Sequence, residues 1–113
     1  MRRNRAVLQR AISNAKGTSA KAVANYNLGL FHDNNSREKE AIPYYRQAIK
    51  LGLSRGVEAE ARAWLASSLY KTHQPTHALR ELRASLRLTR DPKLNALLAG
   101  LERRILKSKG PAR

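Results

Sequence analysis

Apolar and polar positions follow the period of a helix along nearly the whole chain, in blocks separated by short polar or Gly/Pro-marked breaks. Val7, Leu8, Ala11, Ile12 and Ala15 predict a first helix over about residues 3–16, with Gly17 suited to a left-handed C-cap. Thr18 or Ser19 can cap a second helix that reaches about His32. Gly29 lies inside that helix, where glycine costs about 1 kcal/mol against alanine, so a close packing contact is expected there. The segment DNNS, from Asp33 to Ser36, reads as a turn, and Asn35 with Glu38 has capping-box spacing. A third helix follows from about Arg37 to Leu51, with Pro43 predicting a kink or a late start. Gly52 and Gly56 bracket a loop in which Ser54 can cap a fourth helix, from about Val57 to Lys71, with Ala61, Leu65, Ala66 and Leu69 toward the core. Pro75 suits the first position of a fifth helix ending near Leu88. Asp91-Pro92 repeats that start signal, and Leu94, Leu97, Leu98, Leu101 and Ile105 form the apolar stripe of a sixth helix. The end of the chain, KSKGPAR, is expected to be disordered.

The central blocks repeat. Leu28, Ala41, Tyr45 and Ala48 each have a counterpart 37 residues later, in Leu65, Ala78, Leu82 and Ser85. A fixed internal period signals a repeat architecture. With repeat starts at Ala22 and Ala59, these residues resemble the tetratricopeptide repeat (TPR), a 34-residue helix-turn-helix unit: Leu28-Gly29 and Leu65-Ala66 fall on its Leu-Gly pair, and the rest on its second helix. Asn25 and Arg62 stand where the family carries an early Trp, Leu53 stands where Pro closes a repeat, and GLSRG lengthens the turn between repeats. The phrase AIPYYRQAIKLGLS is similar to a bacterial subgroup of small members. The resemblance implies an all-α, TPR-like α-solenoid of about six antiparallel helices. We expect one helical domain over 1–107, with repeats at about 22–55 and 59–92, a capping helix at about 92–107 and a basic disordered tail at 108–113.

The chain of 113 residues fits one small domain. It has no cysteine, which excludes a disulfide framework and suits a reducing, cytoplasmic setting. No stretch reaches the roughly 18 apolar residues of a membrane span. The basic, amphipathic start before Asp33 contains no acid, a composition shared by mitochondrial transit peptides and by the first helix of a solenoid. The net charge of +15 and pI near 11.3 imply an acidic partner: an acidic protein, nucleic acid, ribosome or anionic membrane.

In the TPR family the first helix of each repeat, helix A, lines a concave groove, and the second, helix B, forms the back. The resemblance places Val23, Tyr26, Asn27, Leu30, Asp33 and Asn34 in that groove, followed by Glu60, Ala63, Trp64, Ser67, Tyr70 and Lys71. Aromatic side chains in a groove suit an extended peptide or a partner helix. Trp64 and Tyr26 are equally suited to pack between neighbouring A helices, and Tyr45 is assigned to the core. The chaperone-carboxylate clamp of some members is matched only at Asn27, so that specificity does not transfer. Arg80, Arg83, Arg87 and Arg90 share one helical face, and Lys39, Arg46 and Lys50 form a looser row; both rows are expected on the back, as an anion-binding surface or an ordinary solvated face.

His32, His73 and His77 show no metal-ligand spacing, since Pro75 interrupts the last two, and no nucleophile sits beside an evident base. No cofactor or metal and no enzymatic activity is expected. The chain reads as a non-catalytic protein-interaction module, with a nucleic-acid- or ribosome-associated protein as the alternative and a homodimer left open, because apolar faces at the two ends could pair between chains.

Overall fold

The structure, a computed structural model, describes residues 5–109. Six helices follow one another: α1 (Arg5–Asn14), α2 (Thr18–Asn34), α3 (Glu38–Leu51), α4 (Arg55–Lys71), α5 (Pro75–Leu88) and α6 (Pro92–Lys109). Each packs on the next, and α6 also reaches back to α4. The result is two helix pairs, α2–α3 and α4–α5, with α1 and α6 on either side.

The 37-residue period is written into the backbone. Arg37 N donates to His32 O at 2.8 Å, and Gln74 N to Leu69 O at 2.8 Å. Ser36 N to Asp33 O and His73 N to Tyr70 O form the next equivalent pair, and Ala41 N to Arg37 O matches Ala78 N to Gln74 O. Both A helices therefore end in the same turn, with a left-handed residue at Ser36 (φ 59°) and at His73 (φ 66°). Such turns satisfy carbonyls that a helix end leaves without partners.

Some local expectations change. Gly17 takes φ 84°, but α1 has already ended at Asn14, and the glycine is the N-cap residue of α2 in place of Thr18 or Ser19. The capping box at Asn35 does not form: α3 begins at Glu38 behind Arg37, and Asn35 Nδ2 donates backward to Phe31 O at 2.7 Å. Pro43 causes no late start, because α3 begins before it and runs past it. Ser54 precedes α4 but caps through its carbonyl, which accepts from Glu58 N at 2.7 Å, rather than through its hydroxyl. Asp91 does cap α6, its Oδ1 accepting from Lys93 N at 3.0 Å. That helix continues through Ser108 and Lys109, into the stretch expected to be a tail; residues 110–113 lie outside the described residues.

The core runs from Tyr26 to Ile105 and is built largely of alanine and leucine. Ala22, Leu28, Ala41, Tyr45 and Ala48 are fully buried in the first repeat, and Leu65, Ala66, Ala78, Leu82 and Ser85 in the second. Tyr45 is thus a core residue. Alanine lets helices approach closely, and Gly29 goes further: a Cβ there would sit 2.7 Å from Tyr45 Cδ1 and Cε1. Ser85 Oγ donates to Ala59 O at 2.6 Å and satisfies its own burial. At the N-terminal end, Leu8 is buried, whereas Val7 and Ala11, expected on the same apolar face, stay exposed.

Candidate partner-binding faces

The predicted groove residues divide between the core and the surface. Tyr26 is buried, its ring centroid 6.0 Å from that of Tyr45, and its hydroxyl donates to Glu60 Oε1 on α4 at 3.1 Å. Burial, followed by the Glu60 charge and hydrogen bond, holds its phenol well above the usual tyrosine range. Ala63 is fully buried. These two groove expectations are corrected: both residues lie in the core cluster, Tyr26 beside Tyr45 of α3. Asp33 is turned inward as well. Its Oδ2 accepts from Tyr45 Oη at 2.8 Å and its Oδ1 from Ser68 Oγ at 3.4 Å, so one carboxylate joins α2, α3 and α4. Burial and this hydrogen bond to Asp33 push the Tyr45 phenol up.

Asn27, Leu30, Trp64, Ser67 and Tyr70 are half-buried, and Val23, Asn34, Glu60 and Lys71 are exposed. Trp64 packs against the core and also lines a cleft of about 310 Å³ with Glu60, Asp91, Lys93, Leu94 and Leu97. Tyr70 and Lys71 line a second cleft, about 570 Å³, with His73, Pro75 and Ser108. Val23 and Asn27 line a third between α1 and α2, about 550 Å³, with Ala11, Ala15 and Ala24. The structure thus seats Val23, Asn27, Glu60, Trp64, Tyr70 and Lys71 in three separate clefts, two of them made with α6, while Leu30, Asn34 and Ser67 line none of the three.

Arg80, Arg83 and Arg87 are exposed on α5, and Arg46 and Lys50 on α3. Arg90 is exposed too, but α5 ends at Leu88, so it belongs to the following connection rather than to the helical row. Arg83 Nε donates to Glu102 Oε2 of α6 at 3.3 Å. Arg62 bridges Glu58 at 2.8 Å and Glu81 at 2.6 Å. Among the described residues, these are the ion pairs, and Arg80, Arg87, Arg90, Arg46 and Lys50 have no acid partner. Asp33 and Glu81 turn inward to partners, while Arg80, Arg87, Arg90, Arg46 and Lys50 stay at the surface, so positive charge is displayed outward. Sequence reading missed Arg55, whose Nε and Nη2 donate to Leu88 O and Arg87 O at the end of α5. A cation at a helix C-terminus is its physical signature, but the partner helix lies more than 30 residues away.

His32 is buried against Tyr44, the rings stacked at 5.4 Å and 16°, with Nδ1 lacking a hydrogen-bond partner. Burial, then the charges of Arg5 and Arg37, push its pKa below the usual histidine value, and Glu40 opposes them only in part. The unfolded chain therefore takes up this proton first as pH falls. The stability held above about pH 6.5 is expected to decline as pH drops through the interval down to the folded pKa. Urea unfolding at pH 7.5 and pH 5 checks this, and His32→Leu should remove that part of the difference. Among the described residues, no group of three His, Cys, Asp or Glu side chains could hold a metal ion.

Antiparallel helix pairs in register at a constant offset, flanked by single helices, define an α-helical repeat solenoid. The family model of the tetratricopeptide repeat matches residues 22–113, and the chain belongs to that family. Compared with curated proteins, it finds no match. TPR domains generally mediate protein–protein interaction and are generally non-catalytic. Among the described residues, no helix is long and apolar enough to cross a membrane.

Proposed function

We propose that this chain is a non-catalytic cytoplasmic adaptor that binds a peptide or helix of an acidic protein along its A-helix side. The observation that carries the reading is Trp64, which keeps an open edge beside Leu94 and Leu97 in a cleft rimmed by Lys93. A half-buried aromatic next to apolar surface supplies an anchor, and the unpaired bases supply long-range attraction to acidic sequence. A second reading rests on Arg80, Arg87 and Arg90, which have no acid partner: there they meet the phosphates of nucleic acid.

A tagged pulldown at moderate salt, with and without nuclease, separates the two. For the groove reading, a protein partner survives nuclease, Trp64→Ala lowers its affinity tenfold or more, and the Arg80→Gln/Arg83→Gln/Arg87→Gln variant has a smaller effect. Capture that vanishes with nuclease, ignores Trp64→Ala and falls steeply with salt through counterion release overturns it in favour of the second.

A further inference from the structure

We propose that the outward face of α6 docks an acidic amphipathic helix of another protein. The register of the fold points there. In the first repeat, helix A meets its own helix B at Gly29, under the Tyr45 ring. The counterparts in the second repeat, Ala66 and Leu82, are both fully buried. The next counterpart of Ala66 at the 37-residue step is Arg103, exposed on α6. Leu94, Leu98, Leu101 and Ile105 bury the other side of α6 against the core, as helix A of a third repeat would. About one turn before Arg103, at Gly100, an added Cβ would meet only Arg103 Nη2, at 3.8 Å. Among the described residues, the face that α2 and α4 cover with α3 and α5 is uncovered on α6.

Its chemistry selects the occupant. Ala96, Leu97, Gly100, Arg103, Arg104 and Lys107 line one shallow cleft of about 610 Å³. Ala96, Gly100, Arg103 or Arg104 and Lys107 follow i, i+4, i+7/i+8 and i+11, a stripe about three turns long. Small residues at Ala96 and Gly100 allow a helix axis to come close, and Leu97, 41% exposed, offers apolar contact. The three cations have no ion-pair partner among the described residues, and no acid lies in the stripe. A second copy of the chain would bring another +15 against this surface. An acidic helix with an apolar edge complements both the shape and the charge.

The test uses the full chain and a designed fluorescent peptide, a four-turn helix with Leu at i, i+3/i+4 spacing and Glu elsewhere. A scrambled peptide of identical charge and a Lys version serve as probes of pattern and sign. The expected result is anisotropy-detected binding of the acidic helix, at least tenfold tighter than the scrambled peptide and absent for the Lys version. Gly100→Leu, which fills open space, should weaken it at least tenfold, as should Arg103→Glu/Arg104→Glu/Lys107→Glu; circular dichroism reports that both fold. Loss of peptide binding on Trp64→Ala, with Gly100→Leu silent, would place the peptide in the Trp64 cleft and overturn this proposal while leaving the A-helix reading standing. Equal binding of the scrambled peptide, no binding, or indifference to Gly100→Leu overturns the proposal. So does light scattering that shows a homodimer dissociated by Gly100→Leu.

Discussion

Gly29→Ala is expected to lower the free energy of unfolding by about 2 kcal/mol, although alanine is favoured over glycine in a helix by about 1 kcal/mol. The added Cβ would lie 2.7 Å from two carbons of the Tyr45 ring, well inside contact distance. The ring cannot step aside. It is fully buried, and its hydroxyl is held 2.8 Å from Asp33 Oδ2. Either α2 and α3 separate or the hydrogen bond breaks, and both cost more than the helix gains. The second repeat shows how the conflict is resolved, with Ala66 and Leu82 at the equivalent positions, both fully buried. Gly29→Ala made in a Tyr45→Leu background is therefore expected to be neutral or slightly stabilising. A double-mutant cycle by urea unfolding should give a coupling of about 2 kcal/mol. Stabilisation by Gly29→Ala alone would show that the close approach carries no energetic weight.

Arg62→Met is the other large effect, a loss of about 2 kcal/mol from a nearly isosteric change. Arg62 joins Glu58, one turn earlier on α4, to Glu81 on α5, with side-chain exposures of 23%, 26% and 13%. Burial works against the guanidinium charge, but the hydrogen bonds and charges of the two glutamates outweigh it and push its pKa up. Removing one member of a fully buried ionic cluster costs about 3–5 kcal/mol, because uncompensated charge is left behind. Partial solvent access here lowers that figure. Arg62→Lys, a point charge that cannot fork between two carboxylates, should lose about 1 kcal/mol. Arg62→Met/Glu58→Gln/Glu81→Gln should recover most of the stability, since it also removes the orphaned charges. Thermal unfolding checks the series, with a drop of roughly 10 °C expected for Arg62→Met. A midpoint equal to that of the parent would mean that the bridge is worth no more than an exposed pair.

The sequence made the repeat legible because small and large apolar residues recur at one spacing, and the backbone turns obey the same offset. The limits of α5 were equally plain, since Pro75 fits only a helix start and Asp91-Pro92 opens the next helix. The α2–α3 turn was misread because a left-handed Ser36 leaves no compositional mark, and that conformation takes Asn35 away from the cap. The groove was legible only as a set of positions. Position alone does not say what packs over each residue, and the packing buries Tyr26 and Ala63 in the core while leaving Trp64 an open edge. Asn25 and Arg62, the departures from the family's early Trp, each found a local partner: Asn25 Nδ2 donates to Lys21 O, and Arg62 holds two glutamates. The basic surface could be read from spacing as far as Arg87, and it lost Arg90 where α5 ended.

The links between the two repeats differ in kind from the attachment of α1. Tyr26 to Glu60 and Ser68 to Asp33 tie neighbouring units through polar side chains, whereas α1 inserts one fully buried residue, Leu8. In a linear array, each unit's persistence depends on its own free energy and on the strength of the bond to its neighbour. A strong junction makes the repeats open and close as a single block, and a weak one lets the terminal helix melt by itself. Among the described residues, the N-terminal helix is thus held to its neighbour less firmly than the two repeats are to each other, able to come away while the block behind it stays intact, and its departure would uncover the α2 side of the cleft that holds Val23 and Asn27.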